Sequence, residues 1–540
     1  MRAVSALTDA ATAEEIGAFW LERVLEPVSS AGRRARDARA PFAAGEAEAA
    51  RAAIAEVVEA AASWDGHQVS RVGAALRALP DPLEALARAS AGGTLADVDL
   101  YEVARLLDAL EALRACAGQR PPERLGPASF EPLRERLAPG VRRGGAFYLD
   151  DAFAEGLAQA RAAARADAEA CARERSRLRE SAAAVLGDAV TEEREFALAR
   201  ADLPAVVPAG VRTVREAGGY VVFELANDER TLAAMRARDD SAARVAELEE
   251  RARERLSREI GAHAPALLAE LRRAGEIDLL RGAVAFAQAH AATAPQIADH
   301  DDLAIDEARL LPLEETLAAH GRPYAPISLS LPGQAVITGP NMGGKSAALR
   351  TAGFVQLCAQ WGLPVAARGA HLRLVERICW LGSAQGEERA DREGLLSSFG
   401  GEIVRLAKVL REPHVPRLLL IDEFARATSP REGRALVVAL LDALRERGEL
   451  ALAATHFHGV AEAAGVAHYA VIGLRRALSA RSDGRRSLEE ALRLIGESMD
   501  YRLAPAASLA SAEGDAIQLA RLLGLDERVT ARAARELHES

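Results

Sequence analysis

Two short stretches place glycines, a lysine, a serine hydroxyl and carboxylates at spacings that could do chemistry. The first, residues 339–346, reads "GPNMGGKS" and fits the phosphate-loop pattern G-x-x-x-x-G-K-[ST]. An apolar run, "AVIT", precedes it and a helical pattern, "SAALRTAGFVQL", follows it, so the loop is predicted between a strand and a helix. Backbone N–H groups at such a turn can bind phosphate oxygens. The stretch is therefore predicted to bind ATP.

Each residue of this loop has a predicted role. Lys345 is expected to reach the β- and γ-phosphate oxygens, and Ser346 is expected to ligate Mg²⁺. A chance match in a structural turn is the alternative, and the flanking strand and helix argue against it. The predicted ATP-binding residues are Gly339, Pro340, Asn341, Met342, Gly343, Gly344, Lys345, Ser346 and Ala347.

The second stretch, "RLLLIDEF", ends a buried strand with two carboxylates. Asp422 is predicted to hold Mg²⁺, and Glu423 is predicted to orient or deprotonate the attacking water. His456 follows the next apolar strand and is predicted to hydrogen-bond the γ-phosphate or the attacking water. For His456 the alternative is a structural histidine at the end of a strand. Glu423, His456 and Lys345 are the predicted catalytic residues.

The elements that must position these residues follow from hydrophobic periodicity. From about residue 327, strand and helix patterns alternate, which predicts an α/β domain with a largely parallel sheet. Upstream, two long helical patterns at 150–187 and 228–275 flank a stretch whose alternating apolar residues predict a small strand pair. Such an arrangement could form a lever with a β tip. The alternative is an ordinary helical hairpin that the β tip only caps.

The predicted architecture is multidomain, with an all-α helical core and lever, a small β insertion, and a following α/β domain. The predicted segments are a helical core at 1–145, a lever at 146–290 with its tip at about 193–225, a connector at 291–330, an ATPase domain at 331–475 and a C-terminal helical segment for dimerisation at 476–540.

Composition restricts the class of protein. The chain has 540 residues, of which 49% are hydrophobic and 27% are charged, and it is therefore predicted to fold into several domains. The sequence has neither a secretory signal pattern nor a long uncharged apolar run, which predicts a cytoplasmic protein without a membrane partner. Its net charge of −11 argues against binding nucleic acid by bulk charge, but it leaves a local basic surface open. Four scattered cysteines indicate neither a disulfide framework nor a zinc site.

Taken together, the motifs resemble the ATPase domain of the MutS family of DNA mismatch-repair proteins. The most diagnostic motif is "ITGPNMGGKS", because Pro340-Asn341-Met342 inside the loop is typical of that family. The stretches "DEFARATS", "ATHFH" and "LLSSFGGEI" are similar to three further family motifs, and "AIQLARLLGLDERVTARA" is similar to its closing helices. A weaker resemblance covers the helical region upstream.

The resemblance implies a P-loop NTPase of ABC type that uses ATP and Mg²⁺. It also implies a homodimer with two composite sites, in which Ser397 and Ser398 of one protomer approach the γ-phosphate bound by its partner. Two departures bear on function. The helical core begins within the first 30 residues, which leaves no room for the family's mismatch-reading wedge. Ala425 and Ala427 stand where the family has glycines, and Glu432 stands where it has aspartate.

The leading hypothesis is a dimeric ATPase that clamps DNA in mismatch repair or recombination without reading a mismatch directly. The predicted phosphate contacts on the tip are Arg194, Arg200, Arg212 and Arg215, and the alternative is that these arginines form a solvated charged surface. A second hypothesis is a MutS-like ATPase that remodels a protein client, such as a cofactor-dependent mutase. A degenerate ATP binder is disfavoured, because every predicted catalytic and metal-binding residue is present.

Overall fold

The structure of the protein is a computed structural model that describes residues 7–117, 130–142, 144–190, 195–208, 210–298, 302–340, 343–382, 398–474, 499–508, 517, 520–521 and 523–539. The described α-helices are α1 (Ala10–Glu15), α2 (Ala18–Val24), α3 (Ser30–Ala38), α4 (Ala47–Ser63), α5 (Gly66–Arg77), α6 (Leu83–Ser90), α7 (Asp97–Ala117), α8 (Glu131–Leu137), α9 (Leu157–Leu186), α10 (Glu229–Ala289), α11 (Leu311–Ala319), α12 (Lys345–Gln360), α13 (Ser398–Arg411), α14 (Pro430–Glu446), α15 (Val460–Ala464) and α16 (Glu527–Glu539). None of them is long and apolar enough to cross a membrane.

The described strands form four sheets. They are β1 (Val141–Arg142), β2 (Ala146–Phe147), β3 (Glu195–Ala199), β4 (Val211–Ala217), β5 (Tyr220–Leu225), β6 (Gln296–Ile297), β7 (Asp302–Ala308), β8 (Ile327–Pro332), β9 (Gln334–Thr338), β10 (Gly369–Leu372), β11 (Arg377–Leu381), β12 (Arg417–Asp422), β13 (Leu450–Ala454), β14 (Ala467–Leu474) and β15 (Met499–Pro505). The combination of helical regions and α/β sheets agrees with the predicted mixed, multidomain fold class.

The chain divides into two compact units. The first comprises Met1–Arg77, Cys116–Arg124 and Arg272–Ser540, and the second comprises Ala78–Ala115 and Leu125–Leu271. The division therefore falls inside α10. The five segments predicted from the sequence stay a prediction, and the first of them, residues 1–145, is distributed over both units.

The core of the second unit is built along one face of α10. Its buried residues recur every three or four positions, which places them on a single face of the helix. They are Ala252, Leu256, Ile260, Ala264, Leu267 and Leu271. This face packs in one cluster with buried residues of α6, α7 and α8. The predicted long helices correspond to α9 and α10, and α10 continues beyond its predicted end at residue 275 to Ala289.

The tip between these long helices has three antiparallel strands in the order β3-β5-β4, which is one strand more than the predicted pair. The added strand, β3, buries Phe196 and Leu198 against Val221 and Phe223 of β5. Two strands alone would bury too little apolar surface to be stable, and β3 supplies what is missing. The edge strand β4 is exposed along most of its length.

The largest sheet lies in the first unit and has the order β11-β12-β13-β9-β14-β15. Its first five strands are parallel, as predicted for the α/β domain, and β15 pairs antiparallel to β14 at one edge. Because the strands are in register, the carboxyl ends of β12, β13 and β9 meet at one edge of the sheet, with Asp422 opposite Ala454 and Ala454 opposite Ile337. This edge is where parallel sheets bind ligands.

Two predictions about the segments around this domain were incomplete. The predicted connector at 291–330 contributes β6, β7 and β8 to a four-stranded sheet of order β6-β10-β7-β8. Strands β7 and β8 alternate buried and exposed residues, as half-buried strands do. The segment 476–540, predicted to be helical, contains the strand β15. Residues 475–498, and with them most of the long stretch at 476–500, lie outside the described residues.

Candidate functional site

The predicted phosphate loop follows β9, whose residues Ala335, Val336 and Ile337 are completely buried. Gly339 has a φ of 145° and Gly344 a φ of 91°, and both values lie in the region that side chains with a Cβ rarely adopt. The glycines of the motif are therefore required by the backbone of the turn. Helix α12 begins directly after Gly344, as the motif predicts.

Close contacts explain the glycines further. A Cβ on Gly343 would lie 2.8 Å from the carbonyl oxygen of Pro340, and one on Gly344 would lie 3.3 Å from Cδ1 of Tyr501. Of the other predicted ATP-binding residues, Ala347 lies in the first turn of α12, whereas Asn341 and Met342 lie outside the described residues.

Lys345 is buried beneath the loop, with 4% of its surface exposed. Its Nζ donates hydrogen bonds to the carbonyl oxygens of Gly339 at 2.9 Å and Pro340 at 3.2 Å. The same Nζ lies 3.4 Å from Oε1 of Glu423. The lysine of the first predicted stretch and a carboxylate of the second, 78 positions apart in sequence, are thus brought together.

Ser346 and Asp422 form the second link between the two stretches. The Ser346 hydroxyl donates a hydrogen bond of 3.0 Å to Oδ1 of Asp422. Burial raises the pKa of Asp422 above its ordinary value, and the nearby Glu423 raises it further. The hydrogen bond from Ser346 and the charges of Arg350 and Lys345 act in the opposite direction. The two residues predicted to hold Mg²⁺ therefore contact each other at the carboxyl edge of the sheet.

Glu423 lies in a strained turn immediately after β12. Its φ is 50°, and its N–H donates to the carbonyl oxygen of Ala454 at 2.9 Å. Its carboxylate faces two cations, because Nη1 of Arg426 lies 3.0 Å from Oε2 while Lys345 approaches Oε1. A carboxylate held at the carboxyl edge of the sheet by its own backbone is well placed to act on a ligand bound there.

His456 follows β13 with an exposed ring that lies 4.2 Å, centroid to centroid, from that of Phe457. Desolvation lowers the pKa of His456, and the charge of Glu423 raises it, against a lowering contribution from Lys345. The imidazole therefore lies within electrostatic reach of both residues. Its predicted role at the γ-phosphate stays a prediction.

The structure describes the surroundings of two of the departures from the family pattern. Ala425 is completely buried and has a φ of 63°, a conformation in which glycine would be unstrained. Glu432 lies in the first turn of α14, where its N–H donates to the Oγ of the N-cap residue Ser429 at 3.4 Å and its carboxylate accepts a hydrogen bond of 2.7 Å from the Ser429 hydroxyl. Glutamate reaches back to this hydroxyl readily.

The remaining predicted site residues are not brought into this group by the described structure. Ser397 lies outside the described residues, and Ser398 is the first residue of α13. Arg194 also lies outside the described residues. On the tip, Arg200 pairs with Glu216 and Arg212 pairs with Glu224. Within the described part of the chain, Arg215 has no carboxylate at ion-pair distance.

Sequence reasoning assigned no role to three residues that border the site. Oε2 of Glu402 accepts a hydrogen bond of 3.0 Å from the N–H of Ala425. Arg350, one turn after Ser346 on α12, donates to Glu15 at 2.7 Å and lies over the ring of Trp380. The third residue is Tyr501, beside the loop. Glu402 lies in "LLSSFGGEI", which resembles a family motif. Its contact with Ala425, however, joins residues 23 positions apart and cannot be seen in the sequence.

The fold and the site define a multidomain protein in which helical regions are combined with an α/β domain that has a phosphate-loop sequence at its ligand-binding edge. Residues 335–539 match the family model described as MutS domain V. Over this part of the chain, the match confirms the resemblance to MutS proteins that the motifs predicted.

Relatives with assigned names show a similarity to the same family. The chain is 32% identical to the DNA mismatch repair protein MutS of Granulibacter bethesdensis over 41% of its own length and 25% of that protein. It is 29% identical to the Endonuclease MutS2 of Lactococcus lactis over 49% of the chain and 31% of the relative. Against the Endonuclease MutS2 of Streptococcus suis, identity is 35% over 34% of the chain and 22% of the relative. The chain thus matches a third or less of the length of these relatives.

Proposed function

We propose that the protein is a Mg²⁺-dependent ATPase of MutS type that acts as a homodimer and couples ATP binding and hydrolysis to clamp-like binding of DNA. One observation carries the proposal. Lys345 and Ser346 of the phosphate loop contact Glu423 and Asp422, respectively, at the carboxyl edge of a parallel sheet. A P-loop ATPase needs these residue types, from these two elements, at this edge.

The donor atoms present fit a magnesium ion. The Ser346 hydroxyl and the Asp422 carboxylate lie 3.0 Å apart, and both are the hard oxygen ligands that Mg²⁺ prefers. Within the described residues no cluster of three or more histidine, cysteine, aspartate or glutamate side chains forms a metal site. Mg²⁺ does not need one, because it keeps several waters and is completed by substrate phosphates. When bound, the ion neutralises charge that develops on the transferred phosphate.

The residues of the chain supply the remaining functions. The glycine turn and the N-terminus of α12 would bind phosphate through backbone N–H groups, and Lys345 would add a positive charge at the same place. Glu423, held by its backbone bond to Ala454, would orient the attacking water or accept its proton. His456 would hydrogen-bond the γ-phosphate or this water.

The dimer and the DNA clamp rest on the family. Ser397 and Ser398 of one protomer would approach ATP bound by its partner. The relatives named above carry DNA mismatch repair or endonuclease names, which favours DNA as the macromolecular partner of this chain as well. The candidate contact is the β tip, with Arg194, Arg200, Arg212 and Arg215 as partners of DNA phosphates.

The ion pairs of the tip are compatible with this role. Arg200 and Arg212 have side chains that are 60% and 70% exposed, and exposed ion pairs contribute only about 0–1 kcal/mol. A DNA phosphate could therefore displace the carboxylate of Glu216, which is 56% exposed, more readily than that of Glu224, which is 13% exposed. The described tip residues 195–208 and 210–225 contain three arginines and four carboxylates, so binding would depend on this exchange rather than on net charge.

Steady-state ATP hydrolysis tests the proposal, with Lys345→Ala as the blank. Hydrolysis is measured without DNA and with homoduplex, mismatched, single-stranded and four-way-junction DNA, each at two salt concentrations. Stimulation by one of these DNAs that weakens as salt increases is the expected result, because phosphate contacts release counterions. Hydrolysis that no DNA changes would contradict the coupling to DNA and direct the search to a protein client.

A further inference from the structure

The turn after β12 holds two residues in a conformation that disfavours them. Glu423 has a φ of 50° and Ala425 a φ of 63°, and neither is glycine. Left-handed backbone costs an L-residue free energy and persists only where surrounding contacts enforce it. The proposed catalytic carboxylate therefore lies in a turn that must be held from outside.

Contacts from two sides hold this turn. On the sheet side, Ala454 accepts the Glu423 N–H at 2.9 Å. On the other side, the carboxylate of Glu402 accepts the Ala425 N–H at 3.0 Å. Between these two bonds the side chain of Phe424 is buried in the cluster beneath the turn. Because Glu402 is a carboxylate, its bond to the amide is charge-assisted and stronger than a bond between neutral groups.

Glu402 belongs to α13, which packs beside the turn along a full face. Its residues Phe399, Ile403, Leu406 and Leu410 are partly buried against the cluster that contains Phe424 and Ala425. One turn after Glu402, Nη1 of Arg405 donates a hydrogen bond of 3.1 Å to the carbonyl oxygen of Gly382.

Gly382 itself touches the strand that carries the site. A Cβ there would lie 2.7 Å from the backbone oxygen of Asp422, so the backbones of the two residues approach closely. Helix α13 thus contacts the turn after β12 directly, through Glu402 on Ala425, and contacts Gly382, the residue after β11 that touches Asp422, through Arg405.

We infer that Glu402 is a positioning residue for Glu423: through the Ala425 amide it holds the strained turn in the conformation that aims the Glu423 carboxylate at the ligand-binding edge. The inference rests on the proposed ATPase function. It also gives α13 a role, because any displacement of this helix changes the position of Glu423 without touching the phosphate loop.

Four variants test the inference in full-length protein, with ATP and Mg²⁺. Glu402→Ala removes the acceptor, whereas Glu402→Gln keeps an oxygen at the same place. Ala425→Gly, made in the Glu402→Ala background, relieves the strain at position 425, since glycine adopts this φ readily. Lys408→Ala is the control, an exposed position on the same helix. Each kcat is normalised to the fraction of protein that binds ATP, so that partial unfolding does not count as lost catalysis.

The expected result is a separation of kcat from KM. Glu402→Ala lowers kcat by about tenfold, the factor that corresponds to a lost hydrogen bond to a charged group, while KM for ATP stays within about twofold. Glu402→Gln keeps most of the activity. Ala425→Gly in the Glu402→Ala background restores most of kcat, because the turn then needs less support. Lys408→Ala behaves as the wild type.

The outcomes separate the inference from the proposed function. A wild-type protein that neither binds nor hydrolyses ATP overturns the proposed function. A wild-type protein that hydrolyses ATP, together with a Glu402→Ala variant of unchanged kcat, overturns the inference alone. The inference is also overturned if Ala425→Gly restores none of the activity lost in Glu402→Ala. The strain of the turn would then have no part in the effect.

Discussion

Charged residues at the carboxyl edge of the main sheet and charged residues on the β tip differ in their burial and in the number of their partners. At the sheet edge, Lys345 is buried and its ammonium group has three defined partners within 3.4 Å. On the tip, Arg200 and Arg212 are exposed and each pairs with one carboxylate.

This difference bears on function. A buried charge costs free energy unless its partners are fixed, so the geometry at the sheet edge restricts what those residues can do. An exposed ion pair is nearly neutral in free energy and leaves the role of its members open. The contacts at the sheet edge therefore restrict the roles of its residues, whereas the proposed role of the tip rests on the similarity to MutS proteins.

The largest effect is expected at the sheet edge, for Glu423→Gln. Removing a general base lowers turnover by about a hundredfold or more, and ATP binding is retained because Lys345 and the loop are unchanged. ATP should then hold the protein as a closed dimer, which light scattering after gel filtration detects. The matched control is Glu446→Gln, the same substitution at an exposed position of α14. Turnover at the wild-type rate in Glu423→Gln would show that another group activates the water.

A smaller effect is expected on the tip. Replacing Arg200, Arg212 and Arg215 together by alanine should weaken DNA binding by about tenfold at low salt and reduce the slope of log K against log salt by about 3. Basal ATP hydrolysis should not change. The triple lysine variant is the control, since it keeps the positive charges. If the alanine and lysine variants bind DNA equally well, the tip arginines are a solvated surface and not a DNA contact.

The smallest effect concerns the stability of the site itself. The fold raises the pKa of Asp422, so it favours the protonated carboxyl, and stability is lost as pH rises through this pKa. Asp422→Asn imitates the protonated form and should raise the thermal midpoint by a few degrees at neutral pH. The gain should disappear at acidic pH, where the aspartate is protonated as well.

Thermal unfolding without nucleotide, at several pH values, measures this gain. Asp442→Asn on α14 is the control, because Asp442 is exposed and its substitution should give no such pH-dependent gain. A destabilised Asp422→Asn protein at neutral pH would show that the charge of Asp422 is favourable in the fold, contrary to the effect of its burial.

Sequence was a good guide where chemistry and local structure coincide. The motif at 339–346 predicted the strand, the turn and the helix together, because its glycines are required by the backbone and its lysine begins α12. The apolar run before Asp422 and Glu423 likewise predicted a buried parallel strand ending in two carboxylates. Their meeting in space follows from the rule that parallel strands present their carboxyl ends on one edge.

Sequence was a poor guide where a contact joins distant segments. The segment 291–330 has clear strand patterns, but its partner β10 lies about 60 residues further on, so no local pattern shows the pairing. Strand β15 lies in a segment that was predicted to be helical, and its partner β14 is separated from it by residues 475–498, so no local pattern shows the pairing. The contact of Glu402 with Ala425 depends on a left-handed turn that the residues of "DEFARATS" do not predict.

The most direct test of the central claim is Mg²⁺-dependent steady-state hydrolysis of ATP by the wild-type protein beside Lys345→Ala. If Lys345, Ser346, Asp422 and Glu423 form an ATP-hydrolysing site, the wild type turns over ATP only when Mg²⁺ is present and Lys345→Ala shows no turnover above the buffer blank. Equal rates in the two proteins would contradict the account, because hydrolysis would then occur somewhere other than at the phosphate loop.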